Sequence, residues 1–121
     1  MLVYDLEIGM RDWLVGTYDG KEFTQIHNDY EAMKEFYEKH AEDIWIGYNS
    51  ANYDSIILKL ILLNKPHNDI FEYSNKIVRG ENVKNPLKKA YNLHNIKLYD
   101  MDLMNVLKLF NSLKELEGYL R

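Results

Sequence analysis

Apolar and polar residues alternate from the first positions of the chain. In Leu2-Val3-Tyr4-Asp5-Leu6-Glu7-Ile8 a strand would place Leu2, Tyr4, Leu6 and Ile8 on one face, and Val3, Asp5 and Glu7 on the other. Gly9 to Asp12 turns the chain. Trp13 to Tyr18, rich in aromatic and β-branched residues, predicts a second strand. Asp19-Gly20 signals a hairpin of the two-residue kind, and Phe23 to His27 is the third strand. The period then changes. Tyr30, Met33, Phe36, Tyr37 and Ala41 recur at helical spacing behind Asn28, a good N-cap with Glu31 three residues on. Ile44 to Tyr48 is too apolar for an edge and predicts a central, parallel strand. Tyr53 to Leu63 is apolar almost all round, which predicts a helix packed on the sheet and ended by Asn64-Lys65-Pro66. Asp69 to Val78 predicts another helix, and Arg79 to Tyr91, with Gly80 and Pro86, an exposed loop. Ile96 to Asp100 alternates as a fifth strand. Met104 to Leu120 is a last helix, with Asp102 as its N-cap.

The predicted order is three strands, a helix, a strand, helices, a strand and a helix. It implies an α/β fold: a five-stranded mixed sheet, an antiparallel meander followed by parallel strands, flanked by helices. The 121 residues, 46% hydrophobic and 28% charged, suffice for one compact domain over 1–121. The chain has no cysteine, which excludes disulfides, zinc–thiolate sites and thiol nucleophiles. Its start has neither a basic segment nor a small-residue cleavage site. The longest apolar run, Ile56 to Leu63, contains Lys59 and falls well short of the roughly 20 residues that cross a bilayer. The expectation is a cytoplasmic protein with no membrane partner. The formal charge of −4 is unevenly spread. Residues 1–60 carry five basic and twelve acidic side chains, residues 61–121 ten and seven. Such a chain can set a basic groove beside an acidic centre, or simply solvate two faces.

Two groups of carboxylates could carry chemistry. Asp5 and Glu7, at i and i+2 of a strand, point to the same face. The flanking Leu2, Val3, Leu6 and Ile8 leave no obviously solvated face, so burial of two acids there would call for a compensating cation. A hard ion such as Mg²⁺ suits all-oxygen ligands. The second group is Asn49-Ser50-Ala51-Asn52-Tyr53-Asp54, between a central strand and an apolar helix. Here Asp54 could serve the helix dipole and Asn49 could close the turn.

Val3-Tyr4-Asp5-Leu6-Glu7 resembles the Asp-x-Glu motif that opens the DEDD, or DnaQ-like, 3′–5′ exonucleases. Asn49 to Asp54 resembles their second motif, closest to the form in family B DNA polymerases and phage exonucleases. Leu98 to Met104 and Ser112 to Glu117 resemble the segments ahead of the third motif. The resemblance implies a ribonuclease-H-like fold and a metal-dependent 3′–5′ exonuclease, of the kind found in phage or prophage polymerase-associated fragments, in a bacterial or phage-infected cell. Asp5, Glu7 and Asp54 would bind two Mg²⁺ or Mn²⁺ ions about 3.5–4 Å apart, one acidifying an attacking water and one stabilising the leaving 3′ oxygen. Asn49 and Tyr53 would shape the pocket for the single-stranded DNA 3′ end. Apart from the resemblance, Lys76, Arg79, Lys88 and Lys89, in a basic stretch that includes Lys84 and Lys97, could either track a phosphate backbone or form a solvated loop.

The chain departs from the family in two ways. The family's fourth carboxylate, in a Tyr-x-x-x-Asp or His-x-x-x-x-Asp context, has no match after Asp54, which implies C-terminal truncation or substitution by Asp100 or Asp102. Ile8 stands where many relatives have Thr, which bears on one substrate contact. Without a fourth ligand, the alternative is an inactive nuclease-derived module that binds nucleic acid or a nucleoprotein partner. A ribonuclease-H-type endonuclease accounts less well for Asn49 to Asp54. The four histidines, His27, His40, His67 and His94, lack ligand spacing and read as surface or packing residues.

Overall fold

A computed structural model describes residues 1–48, 53–81 and 93–103, with the side chain of His94 excepted. The fold is α/β, built on an open five-stranded mixed sheet of order β3-β2-β1-β4-β5. Strands β1 (Leu2–Ile8), β2 (Trp13–Tyr18) and β3 (Phe23–His27) form the antiparallel meander. After α1 (Tyr30–Lys39), β4 (Trp45–Gly47) adds parallel to β1. Helices α2 (Asp54–Leu62) and α3 (His67–Val78) follow, then β5 (Asp100–Asp102), parallel to β4.

The alternation in β1 decides the layers. Leu2, Tyr4 and Leu6 are buried, and the register sets Tyr4 beside Thr17, Leu6 beside Val15 and Ile8 beside Trp13 on the same face. Met33 of α1, Ile57, Leu58, Leu60 and Ile61 of α2 and Ile70 of α3 join them in one core. α2 buries seven of its nine residues, as its all-round apolar sequence requires. Truncating one of its buried leucines, Leu58 or Leu60, to Ala should cost about 2–5 kcal/mol. Trp45 locks β4 in place. Its ring meets Tyr4 edge-on at 5.5 Å and Phe36 at 5.9 Å, and its Nε1–H donates to the His40 carbonyl at 3.0 Å.

The outer face of β1 corrects the expectation that it has no solvated side. Val3, Asp5 and Glu7 are exposed, because the core residues of all three described helices gather on the opposite face.

Other boundaries shift for local reasons. The β2–β3 connection is a four-residue loop, not a two-residue turn. Asp19 accepts bonds from the Lys21 and Glu22 amides, both at 2.8 Å, which lower its pKa, and Gly20 takes φ +101°. The N-cap of α1 is Asp29, whose side chain accepts from the Ala32 amide. Asn28, the expected cap, instead sits at φ +55° and clasps Trp13, accepting its N–H at Oδ1 at 2.8 Å and donating its own N–H to the Trp13 carbonyl at 3.2 Å. α3 begins two residues early, at His67, behind Pro66. β5 lies four residues beyond the start of its predicted run. A 3₁₀ turn at Leu93–Asn95 takes up the slack, and the register with β4 pairs Trp45 with Asp100 and Gly47 with Asp102. Most of the predicted 79–91 loop, the 49–52 turn and the last helix lie outside the described residues. No described helix is long and apolar enough to cross a membrane.

Candidate carboxylate site at the carboxyl ends of the parallel strands

Because β1, β4 and β5 run parallel, their carboxyl ends share one side of the molecule. Val3 pairs with Ile46, so Asp5 stands just beyond the end of the β1–β4 ladder, while Asp102 closes β5 opposite Gly47. Asp54 opens α2, the helix that follows β4. The chain leaves β1 toward β2 and leaves β4 toward β5. In open α/β sheets, a crevice at the carboxyl ends where strand order reverses in this way is the usual place for a ligand.

Carboxylates of two other elements, Asp5 of β1 and Asp102 of β5, act there on Asp54. Asp54 is 6% exposed and Asp102 7% exposed. The Asp54 carboxyl is pushed up to about 7, first by burial, then by the negative charge of Asp5, then by that of Asp102. A carboxylate in the first turn of a helix gains at most about 2 kcal/mol from the helix dipole. A rise of some three pKa units corresponds to about 4 kcal/mol in the opposite sense, so burial and repulsion dominate. Asp54 is therefore no ordinary capping acid. The N-cap is Tyr53, which makes no side-chain capping bond. The half-buried Tyr53 phenol is itself raised, mainly by burial, against a lowering hydrogen bond with Ser74 and with smaller raising effects from Asp54 and Asp5. Its hydroxyl lies 2.6 Å from Ser74 Oγ.

The remaining expected site residues are dispersed. Glu7 is exposed and lines, with Gly9, Asp12, Leu14, Gln25 and His27, a cleft of about 530 Å³ on the outer sheet face. The charges acting on Asp54 are those of Asp5 and Asp102, not Glu7. A larger cleft of about 830 Å³, between the start of α1 and the end of α2, is lined by Asn28, Tyr30, Lys34, Leu63 and Asn64 and contains none of these carboxylates. Lys76 and Arg79 sit at the end of α3, engaged with neighbours. Lys76 lies 3.4 Å from Glu72 and over the Tyr73 ring, and Arg79 holds Glu81 at 2.9 Å. Asn49, Lys84, Lys88 and Lys89 lie outside the described residues. Lys97 lies over the Tyr99 ring, 4.8 Å from its centroid.

The histidines do more than fill surface. His27 meets Asp12 at 3.1 Å, His40 meets Asp43 at 2.7 Å, and His67 bonds the Gly9 carbonyl at 2.8 Å. Sequence spacing gives no signal for the His67 or Ser74 contacts, which span 58 and 21 residues.

The donor chemistry of Asp5, Asp54 and Asp102 suits a hard divalent cation: oxygen ligands only, two of them buried, with a mutual repulsion that a cation would relieve. Among the described residues, however, no three His, Asp or Glu side chains stand close enough together to hold a metal ion. No protein family, curated protein or solved structure matches this chain.

Proposed function

We propose that the chain is a metal-dependent 3′–5′ exonuclease domain of the DEDD type, on a ribonuclease-H-like fold, acting with Mg²⁺ or Mn²⁺ on single-stranded DNA 3′ ends. The observation that supports this reading is the buried Asp54 at the carboxyl ends of the parallel strands, with the charges of Asp5 and Asp102 acting on it. Strand order 3-2-1-4-5, with an antiparallel meander followed by two parallel strands, supports the fold assignment.

In this reading Asp102 takes the place of the fourth carboxylate that the sequence lacks after Asp54. Asp5, Asp54 and Asp102 would hold the cation once drawn together by it, with Glu7 on the adjoining cleft. A bound divalent ion would supply charge stabilisation to the phosphoryl oxygens and acidify the attacking water. Burial of Asp54 and Asp102 excludes bulk water from one side of the site. Tyr53, fixed by Ser74, shapes its wall. A polymerase or other nucleoprotein complex is the partner that the resemblance suggests.

The test is release of nucleotides from a 5′-labelled single strand with Mg²⁺ or Mn²⁺, beside Asp5→Ala and Asp54→Ala variants. Stepwise shortening from the 3′ end, lost in both variants, is expected. Cleavage that survives both variants would defeat the assignment. One observation favours a second reading, a nuclease-derived module that binds without turnover: the absence of a closed ligating group among the described residues. Oligonucleotide binding with no shortening at any metal concentration would select it.

A further inference from the structure

We propose that the segment from 104 to 121 docks as an amphipathic helix on the outer face of the sheet, over an apolar row to which every strand contributes one residue. This placement goes beyond the metal reading and does not depend on it. The strand register sets the row. Phe23 of β3 pairs with Tyr18 of β2, Tyr18 with Val3 of β1, Val3 with Ile46 of β4, and Ile46 with Met101 of β5. Paired residues point to the same side of a sheet, so all five stand on the face opposite the core. Phe23 is 81% exposed, Val3 51%, Met101 41% and Tyr18 37%. The Tyr18 and Phe23 rings stack with centroids 4.4 Å apart. Beside them a hollow of about 260 Å³ opens over Gly16, where an added Cβ would meet nothing within 4 Å. Single exposed apolar residues are ordinary, but a contiguous row marks a face that another element covers.

The segment that follows β5 has the matching pattern. Val106, Leu109, Phe110, Leu113, Leu116 and Leu120 recur at helical spacing and would form one stripe, with Lys108, Asn111, Ser112 and Glu115 turned away from it. The helix expected over Met104–Leu120 would be about 25 Å long, against about 19 Å for four strand spacings, so it can cover the row from end to end. The row ends at Met101, three residues before Met104, so the chain arrives at this face with no linker to cross. Charge favours this occupant over two others. Asp5 and Glu7 are exposed on the same face. A nucleic-acid backbone, or the same face of a second copy, would set like charges against them. The segment carries three basic and two acidic side chains.

The chain lacks cysteine, so Val3→Cys places a single thiol in the row. Its labelling by a maleimide is followed in the full chain, and in the same chain carrying Leu109→Lys and Leu113→Lys, with amide protection of the β1–β2 ladder checked in both. Labelling should be about 10-fold faster with the two lysines, since one covered leucine is worth a decade or more in the docking equilibrium. The slow rate of the parent chain should change neither with protein concentration nor with added single-stranded DNA. Equal rates in the two chains would overturn the proposal. So would protection found only at high protein concentration, which assigns the face to a second copy, or only with DNA, which assigns it to nucleic acid. Should the lysine variant fail to fold, Phe23→Ser and Met101→Ser make the test from the sheet side, at positions that are themselves exposed. Faster amide exchange across 106–116, with the β1–β2 ladder still protected, upholds the docking. Unchanged exchange there overturns it.

Discussion

Replacing Asp54 by Asn removes an ionisation that burial and two neighbouring carboxylates oppose, so the metal-free protein should gain stability above pH 7. The Asp54 carboxyl titrates at about 7 in the fold against 3.8 ordinarily. Below the ordinary value both folded and unfolded chains hold the proton, and its ionisation has no bearing on stability. Between the two values only the unfolded chain gives the proton up, so stability falls as pH rises. Above about 7 the full cost is present, about 4 kcal/mol at 1.36 kcal/mol per pKa unit. Asn keeps the shape and sheds the charge. Urea unfolding at pH 8 should show Asp54→Asn more stable by about 2–4 kcal/mol, the lower bound allowing for a buried amide. For a chain of this size that is a rise in Tm on the order of 10 °C. At pH 4 the difference should have largely vanished. A variant no more stable at pH 8, or one whose advantage persists in acid, would refute the reasoning.

Three further outcomes follow from the same geometry. Asp102→Asn removes one of the two charges that raise Asp54, and carbon-detected NMR titration should show the Asp54 midpoint moving down; an unmoved midpoint would deny the coupling. Asn28→Ala should destabilise by about 1–3 kcal/mol, since it strips the Trp13 amide of its acceptor and places an alanine at positive φ. Asp29→Ala, a lost cap, should cost about 1 kcal/mol, and thermal unfolding of the two variants should rank them in that order.

The strands of the meander and the apolar α2 were legible because their periodicity is strong and local. Leu2, Tyr4 and Leu6 announce a face, and α2 has hardly a polar position to expose. The layer on the other side of β1 was not legible. Whether Asp5 and Glu7 meet water depends on which face the helices take, and nothing in seven residues of strand states that. β5 was placed early because Ile96 to Asp100 alternates well. The parallel register with Trp45 to Gly47 sets its position instead, and that is a contact across more than 50 residues of chain. The motif singles out Asp54 in the sequence, whereas its burial and the effect of Asp102 on it arise only when β4 and β5 align. The Ser74 and His67 contacts left no trace in sequence, since a serine within a helix and a histidine behind a proline are both unremarkable.

The proposal at the centre of the account is that Asp5, Asp54 and Asp102 would together hold a divalent cation, and Mn²⁺ binding at pH 8 tests it most directly. The account predicts that the wild-type chain binds Mn²⁺ and that its Tm rises with the ion. It predicts that Asp54→Asn, though more stable without metal, loses both effects. Mn²⁺ that fails to bind at millimolar concentration, or that binds and stabilises Asp54→Asn equally, would contradict it.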